Sequence, residues 1–447
     1  MYLAMVGYGV VIVMMYLILS NRALPALCFT VLPVIGALIA GFSVSEILGF
    51  AVQGVGTTWS TAVLFIFSVI YFGIMSDAGM FDKMVTSLVK KAGSNITMIF
   101  IVTALIAIVG HLDGATASTY LITIPVMLPL YKRLNLSRIA MLCTIGMSTG
   151  VMNLVPWGGP TIRAASVIDS DPAAMWQAMI PMQICGVVVS VVAAWYFARI
   201  ETKRLRAEGL LVETDGNEEI KLNLGDPELK RPKLLGFNLA FTAFIIYLLI
   251  DGSITAWVVF MFATLIALAV NYPDIQLQNK RMMAHAPNCI SLTVTLLCAG
   301  VFLGIFTGGG AITKGVEADV LDTVIIAQMA EVLISVIPSF LMPYLHIVIG
   351  ILAAPIGMVI GPDPYYYAVL PLIAQAVAEF GVSPDKVAYA MLIGANVGIV
   401  VSPCIPTTFL AIGLAEVELK DHIKFSFKYL WIASIVLLLF SMIIGLV

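Results

Sequence analysis

The sequence predicts an all-α polytopic membrane protein made of two inverted five-span repeats, each carrying a re-entrant hairpin and a broken helix. Three observations lead there. Of the 447 residues, 61% are hydrophobic and only 11% are charged, against roughly a quarter charged in soluble domains. The charge is also concentrated, with 16 charged residues between Arg199 and Lys233. This leaves uncharged tracts at 23–45, 47–76, 139–162, 172–198, 282–313, 332–362 and 387–415, each at or above the roughly 20 residues that a helix needs to cross a bilayer. Finally, a pattern returns in the second half. Phe72-Gly-Ile-Met-Ser-Asp-Ala-Gly79 with Lys83 matches Leu303-Gly-Ile-Phe-Thr-Gly-Gly-Gly310 with Lys314, Pro125–Ser137 matches Pro371–Ser383, and Ile145–Gly150 matches Ile393–Gly398.

From the N-terminus, Met1–Ser20 is apolar without a basic start or a small-residue cleavage site, so it is expected to be a first span and not a removed signal. Further spans are expected near 24–44, 56–76, 139–166, 174–198, 234–251, 255–272, 287–308, 387–414 and 428–447, with hairpins in the interrupted apolar segments 96–131 and 323–380. With both termini outside, 20 of the 23 basic residues fall inside and only Lys314 and Lys386 outside, while Arg163 lies within a span, as the preference of Lys and Arg for the cytoplasmic side requires. Five spans and a hairpin per half is an odd number of crossings, so the second copy must be upside down. The domains expected are a first repeat at 1–200, a cytoplasmic linker at 201–233 and a second repeat at 234–447. The net charge of −3 without a basic patch excludes a nucleic-acid partner. The six cysteines and four histidines show no metal-ligand spacing, so free buried thiols are expected and no cofactor is implied.

Non-helical backbone at membrane depth is tolerated only where it is buried in protein or lines a wet cavity, so breaks inside apolar tracts point to the site. There are four: His111–Thr119 in the first hairpin, Met358–Tyr367 in the second, Asn153–Arg163, and Ser402–Thr408. Half-helices restarting after Gly158-Gly159 or after Pro406 present unpaired N–H groups and a positive dipole end, which favour an anion. Gly114, Thr116, Ser118, Thr119, Asn153, Thr161, Ser402, Thr407 and Thr408 add backbone access and polar groups, and Arg163 adds a planar fork suited to a carboxylate. Asp113, at the first hairpin tip, reads either as an Asx turn or as a proton or cation ligand, because an intramembrane carboxylate is costly unless protonated, paired or bound to a cation. Asp363 in Gly-Pro-Asp-Pro carries the same two readings, and Asn396 is a candidate carbonyl ligand for a coupling cation. The pattern predicts a secondary active transporter of a small organic anion by alternating access. An intramembrane enzyme and a channel are the rivals, and neither a protease motif nor a nucleophile elbow supports the first.

At these residues the chain resembles the bacterial citrate-metal/proton symporter family (CitMHS type) of the wider ion transporter superfamily. The likeness rests on His111-Leu-Asp-Gly, Thr119–Arg133, Asn153-Leu-Val-Pro-Trp-Gly-Gly-Pro-Thr161 with Arg163, and Ser402-Pro-Cys-Ile-Pro-Thr-Thr-Phe-Leu410. It implies a multi-pass protein of the bacterial plasma membrane with a scaffold, a moving transport domain and commonly a homodimer. It also implies that citrate, alone or with a divalent metal carried as part of the substrate, moves by proton symport. Sodium coupling or exchange of another organic anion is the alternative.

Overall fold

The computed structural model describes residues 1–93, 95–210, 226–309 and 324–447. The first half comprises α1 (Tyr2–Leu19), α2 (Pro25–Ala40), α3 (Val44–Asp77), α4 (Asp82–Ala92), α5 (Ile96–Gly110), a 3-10 turn (His111–Asp113), α6 (Thr116–Arg133), α7 (Arg138–Met152), α8 (Gly159–Ile168) and α9 (Pro172–Glu208). The second comprises α10 (Leu235–Asp251), α11 (Ala256–Asn271), α12 (Ile275–Thr307), α13 (Ile325–Val336), α14 (Leu345–Ile360), α15 (Pro362–Pro364) running through a π turn (Tyr365–Val369) into α16 (Leu370–Ala378), α17 (Pro384–Gly398), α18 (Pro406–Ala415) and α19 (Leu419–Ile443). Among the described residues, nine helices are long and apolar enough to cross a membrane.

Local chemistry fixes where these helices begin. Ser43 and Glu46 form a reciprocal capping box at the start of α3, Ser137 caps α7, and the Asp171 carboxylate accepts from Ala173 and Ala174 ahead of α9, so donors that would be orphaned at a helix start are satisfied. Prolines occupy the first turns of α2, α8, α9, α17 and α18, where a missing N–H costs nothing.

The two halves repeat the same order of elements: three long helices, a short helix, a hairpin, a broken helix and a final long helix. This corrects one boundary. The expected hairpin at 323–380 begins later, at α14, and α13 stands apart from it as α4 stands apart from the first hairpin. The separation between α13 and α14 is made by Pro338, a 3-10 turn and Pro343, an interruption without charge that hydropathy does not register. The expected spans at 56–76 and 287–308 are the inner parts of the longer α3 and α12.

Two corresponding pairs, α3 with α12 and α7 with α17, pack against each other antiparallel. Where α3 crosses α12, a Cβ on Gly54 would overlap the Gly300 carbonyl and one on Gly304 would overlap the Phe50 carbonyl, while His285, about four turns before Gly300 on α12, fills the space beside Gly73 near the far end of α3. Gly300 and Gly304 make the small-xxx-small face that lets membrane helices approach at backbone distance. The helices α7 and α17 cross the same way, Gly150 against the Asn396 carbonyl and Gly146 against Val400.

Loop contacts divide into two sets. On one side Glu416 binds Lys132 at 2.7 Å and Arg138 at 3.0 Å, and these partners, the Lys132 hydrogen bond foremost, hold its carboxyl below the ordinary carboxylate range. On that side too, Glu201 accepts from the Ser137 N–H at 2.8 Å, and Arg204 reaches the Asn135 carbonyl at 2.6 Å. Lys230 also pairs with Asp82 there at 2.8 Å. On the other side the N-terminal ammonium meets Gln328 at 2.9 Å, Tyr2 donates to Ile39 O, and Gln177 donates to Leu249 O. Each set joins only loops that the charge count places together. Within the expected linker 201–233, residues 211–225 lie outside the described residues, as do Gly310 and Lys314 of the repeat match.

Candidate functional site

The first hairpin turns at Gly114, whose φ of 71° gives the left-handed conformation that favours glycine. Asp113 accepts from the Ala115 N–H at 2.8 Å, closing an Asx turn. His111 Nδ1 and the Thr119 hydroxyl lie 2.8 Å apart and tie the two arms of the hairpin together. No cationic side chain is ion-paired with Asp113 among the described residues.

This tip rests on the first helix break. Trp157 donates its indole N–H to the Leu112 carbonyl at 2.9 Å, and a Cβ on Gly114 would lie 2.8 Å from Trp157 Cδ1, so a larger residue at the tip would displace the ring. The break itself is tight: Asn153 caps α7, Gly158 donates to Val155 O at 2.8 Å, and a side chain at Gly158 would overlap the Asn153 carbonyl. The helix α8 then restarts at Gly159 with no side-chain cap and a proline in its first turn, which leaves the Gly159 and Thr161 N–H groups without an intrahelical acceptor.

Arg163 reaches back over that N-terminus. Its Nη1 is 2.9 Å from where a Gly159 Cβ would stand, so glycine provides the space the guanidinium occupies. From there Nε donates to Asp363 Oδ1 at 2.8 Å, the two side chains being 13% and 18% exposed. Read from sequence, these residues have separate roles, and the structure pairs them across 200 positions. Asp363 sits where α15 leads into the π turn, a geometry frequent at functional positions.

The second break mirrors the first in its supports. Ser402 donates to Met358 O at 2.7 Å and accepts from the Cys404 N–H, and the Cys404 thiol reaches Val359 O, so this break also rests on the hairpin tip of its own half. Thr408 donates to Val400 O at 3.2 Å. The expectation of buried thiols fails here. Cys404 is exposed and Cys185 and Cys298 are half-buried, whereas Cys28, Cys143 and Cys289 are buried, because the second break lies open where the first is enclosed.

The structure thus joins tip 1, break 1, tip 2 and break 2 in one chain of contacts. Among the described residues, Thr161 Oγ1 and both amide atoms of Asn396 are buried beside it without hydrogen-bond partners, and α17, which carries Asn396, packs on both α7 and α8. Such groups cost free energy unless something binds them. Thr116, Ser118 and Thr407 are half-buried on the first turns of α6 and α18. The clamp that sequence reading missed is Trp157, visible there only as one letter of a break.

A family model described as citrate transporter matches residues 4–394. The chain belongs to the citrate transporter family. Among its relatives in Bacillus subtilis (strain 168) are a protein named citrate transporter, 35% identical over all of this chain and 99% of that protein, and one named Mg(2+)/citrate complex secondary transporter, 34% identical over 99% of this chain and 98% of that protein. A third from the same organism, the uncharacterised transporter YraO, is 30% identical over 99% of both. The family membership retires the intramembrane-enzyme alternative and makes the chain a multi-pass membrane transporter. In fold it is similar to the YdaH transporter of Alcanivorax borkumensis, whose topology is described as unusual, with a TM-score of 0.58 at 14% identity over 90% of this chain and 87% of that one.

Proposed function

We propose that the protein is a secondary active transporter of citrate or a divalent metal–citrate complex, driven by protons and working by an elevator-like alternating access. The observation that carries the reading is the Arg163–Asp363 pair at the uncapped N-terminus of α8, with Thr161 and Asn396 unsatisfied beside it. A helix N-terminus and a guanidinium aimed at one point suit a carboxylate. Gly114, Thr116, Ser118, Thr119, Asn153, Gly158, Gly159, Ser402, Pro406, Thr407 and Thr408 form the rest of the substrate site in this reading, while Asp113 carries the coupling proton, with Asp363 and Asn396 supporting it. The names of the B. subtilis relatives support the choice of substrate.

Antiparallel contact between corresponding helices supports two inverted repeats. In this reading 1–200 and 234–447 are the repeats, both termini face outward, 201–233 is a cytoplasmic linker of a bacterial plasma-membrane protein, and two copies form a homodimer. The test is uptake by proteoliposomes of radiolabelled citrate, succinate, malate, gluconate and lactate, with and without Mg²⁺, under an imposed pH or sodium gradient. Citrate accumulation that follows the pH gradient is expected. Accumulation that follows only sodium, or flux that is linear in concentration, would overturn the coupling or the carrier mechanism respectively.

A further inference from the structure

Between α4, α5 and α10 the molecule has an open groove of about 390 Å³, within the roughly 300–1,000 Å³ of small-ligand sites. Met84 of α4, Leu105 and Val109 of α5 and Leu239 of α10 form its walls, and the two polar residues that line it are Lys83 and Ser87. Ser87 gives its hydroxyl proton to the Lys83 carbonyl at 2.7 Å, so the Lys83 ammonium is the one strong donor the groove offers. That ammonium is exposed and has no acidic partner among the described residues. The neighbouring carboxylate, Asp82, is already neutralised by Lys230 at 2.8 Å.

The helix α4 packs Val85 and Val89 into the protein against α5, while Lys83, Lys90 and Lys91 on its other side are exposed, so its cations face outward beside the groove. The groove runs inward from Lys83 along α5 toward the hairpin tip, since Val109 is four residues before Asp113. An open apolar cleft on a membrane transporter, lined by one uncompensated cation, matches one occupant in both its parts.

We infer that this groove binds an anionic phospholipid, with an acyl chain between α4, α5 and α10 and the phosphate on Lys83. The occupant bridges a hairpin of the first half and a helix of the second. The inference is independent of the substrate, because lipid retention is read without transport.

The experiment is native mass spectrometry of the detergent-purified protein titrated with phosphatidylglycerol and, separately, phosphatidylcholine. The wild type is expected to retain phosphatidylglycerol preferentially. In Lys83→Gln the preference should fall about fivefold, the equivalent of the ~1 kcal/mol that one lysine contributes near an anionic surface, with phosphatidylcholine retention unchanged. Leu239→Trp fills the groove from a partly exposed position and should lower retention of both lipids. Lys90→Gln, on the same helix and outside the groove, should leave the preference intact. The inference is overturned if Lys83→Gln keeps the wild-type preference, if Lys90→Gln loses as much, or if Leu239→Trp retains both lipids.

Discussion

The two halves use the same pair of elements, a hairpin tip and a helix break, with opposite division of labour. In the first half the break is enclosed: residues 154–162 are all buried and Trp157 seals it against the tip. The tip carboxylate, Asp113, accepts from the Ala115 N–H and the Ser118 hydroxyl, with no ion-paired cation among the described residues. In the second half the break is open, with Pro403, Cys404 and Pro406 exposed, while the tip carboxylate, Asp363, is held by Arg163 from the other half. Pairing α8 with α18 from their first residues, the position matching Arg163 is Leu410, so no reciprocal cation waits for Asp113. The lesson is that a repeat supplies equivalent positions and single charged residues then assign them. One arginine pairs with one tip carboxylate and leaves the other without a cationic partner among the described residues.

The largest effect should come from removing the uncompensated member. Asp113→Asn replaces a costly intramembrane carboxylate by a neutral isostere, so the protein should fold as stably as the wild type or more so. It should nevertheless lose proton-driven accumulation while still exchanging labelled for unlabelled substrate across the membrane. A mutant that concentrates substrate in a pH gradient as well as the wild type would reduce Asp113 to a turn residue and end the functional half of the comparison.

Next in size is the compensated member. Arg163→Gln strands Asp363, and breaking one side of a buried pair costs about 3–5 kcal/mol. Half-saturation should also rise about 30-fold or more if the guanidinium holds substrate, given roughly 2–5 kcal/mol for a partly buried charged hydrogen bond. Lys, which keeps charge and loses the fork, should fall between. The double variant Arg163→Gln with Asp363→Asn separates the two effects: thermal stability should return while affinity stays low. If affinity returns with stability, Arg163 serves the fold alone.

Much of this arrangement was legible in the sequence, and the residues show why the rest was not. Breaks announce themselves locally, since the clustered Gly158-Gly159-Pro160 and Pro403 with Pro406 strongly disfavour carrying a helix through them. The expected sidedness rests on a different kind of signal, a global preference of Lys and Arg that needs no contacts. The Arg163–Asp363 pair was hidden because only the meeting of α8 with the second hairpin brings two residues 200 positions apart together. The short helix α4 was hidden for a different reason: its lysines read as a loop, and its amphipathic face becomes visible only against α5.

A several-fold effect is expected from Gly159→Ala. The new Cβ would stand 2.9 Å from Arg163 Nη1, which moves the guanidinium without removing it, and overpacking of this kind costs about 1–3 kcal/mol. Half-saturation should rise less than in Arg163→Gln, with accumulation retained. A substitution that leaves half-saturation unchanged would show that the reach of Arg163 over the α8 N-terminus is irrelevant to substrate.

The smallest effect is reserved for Cys404, and it bears on why the two breaks differ. Irregular backbone at membrane depth needs either protein or water around it. The first break has protein, and the second, with Cys404 exposed, has to line water. Cys404→Ser preserves a donor for the Val359 carbonyl, which the thiol reaches at 3.3 Å, so transport should stay within about twofold, the span of a typical surface substitution near 0.5 kcal/mol. The informative readout is chemical. A charged, membrane-impermeant thiol reagent should modify wild-type protein at Cys404 and spare the buried Cys28, Cys143 and Cys289, because thiolate chemistry needs water at the sulfur. Citrate should slow the reaction if the open break is where substrate arrives. Modification at Cys404 only by an apolar reagent would place this break against lipid or a second subunit, and the contrast between an enclosed break and a wet one would fail.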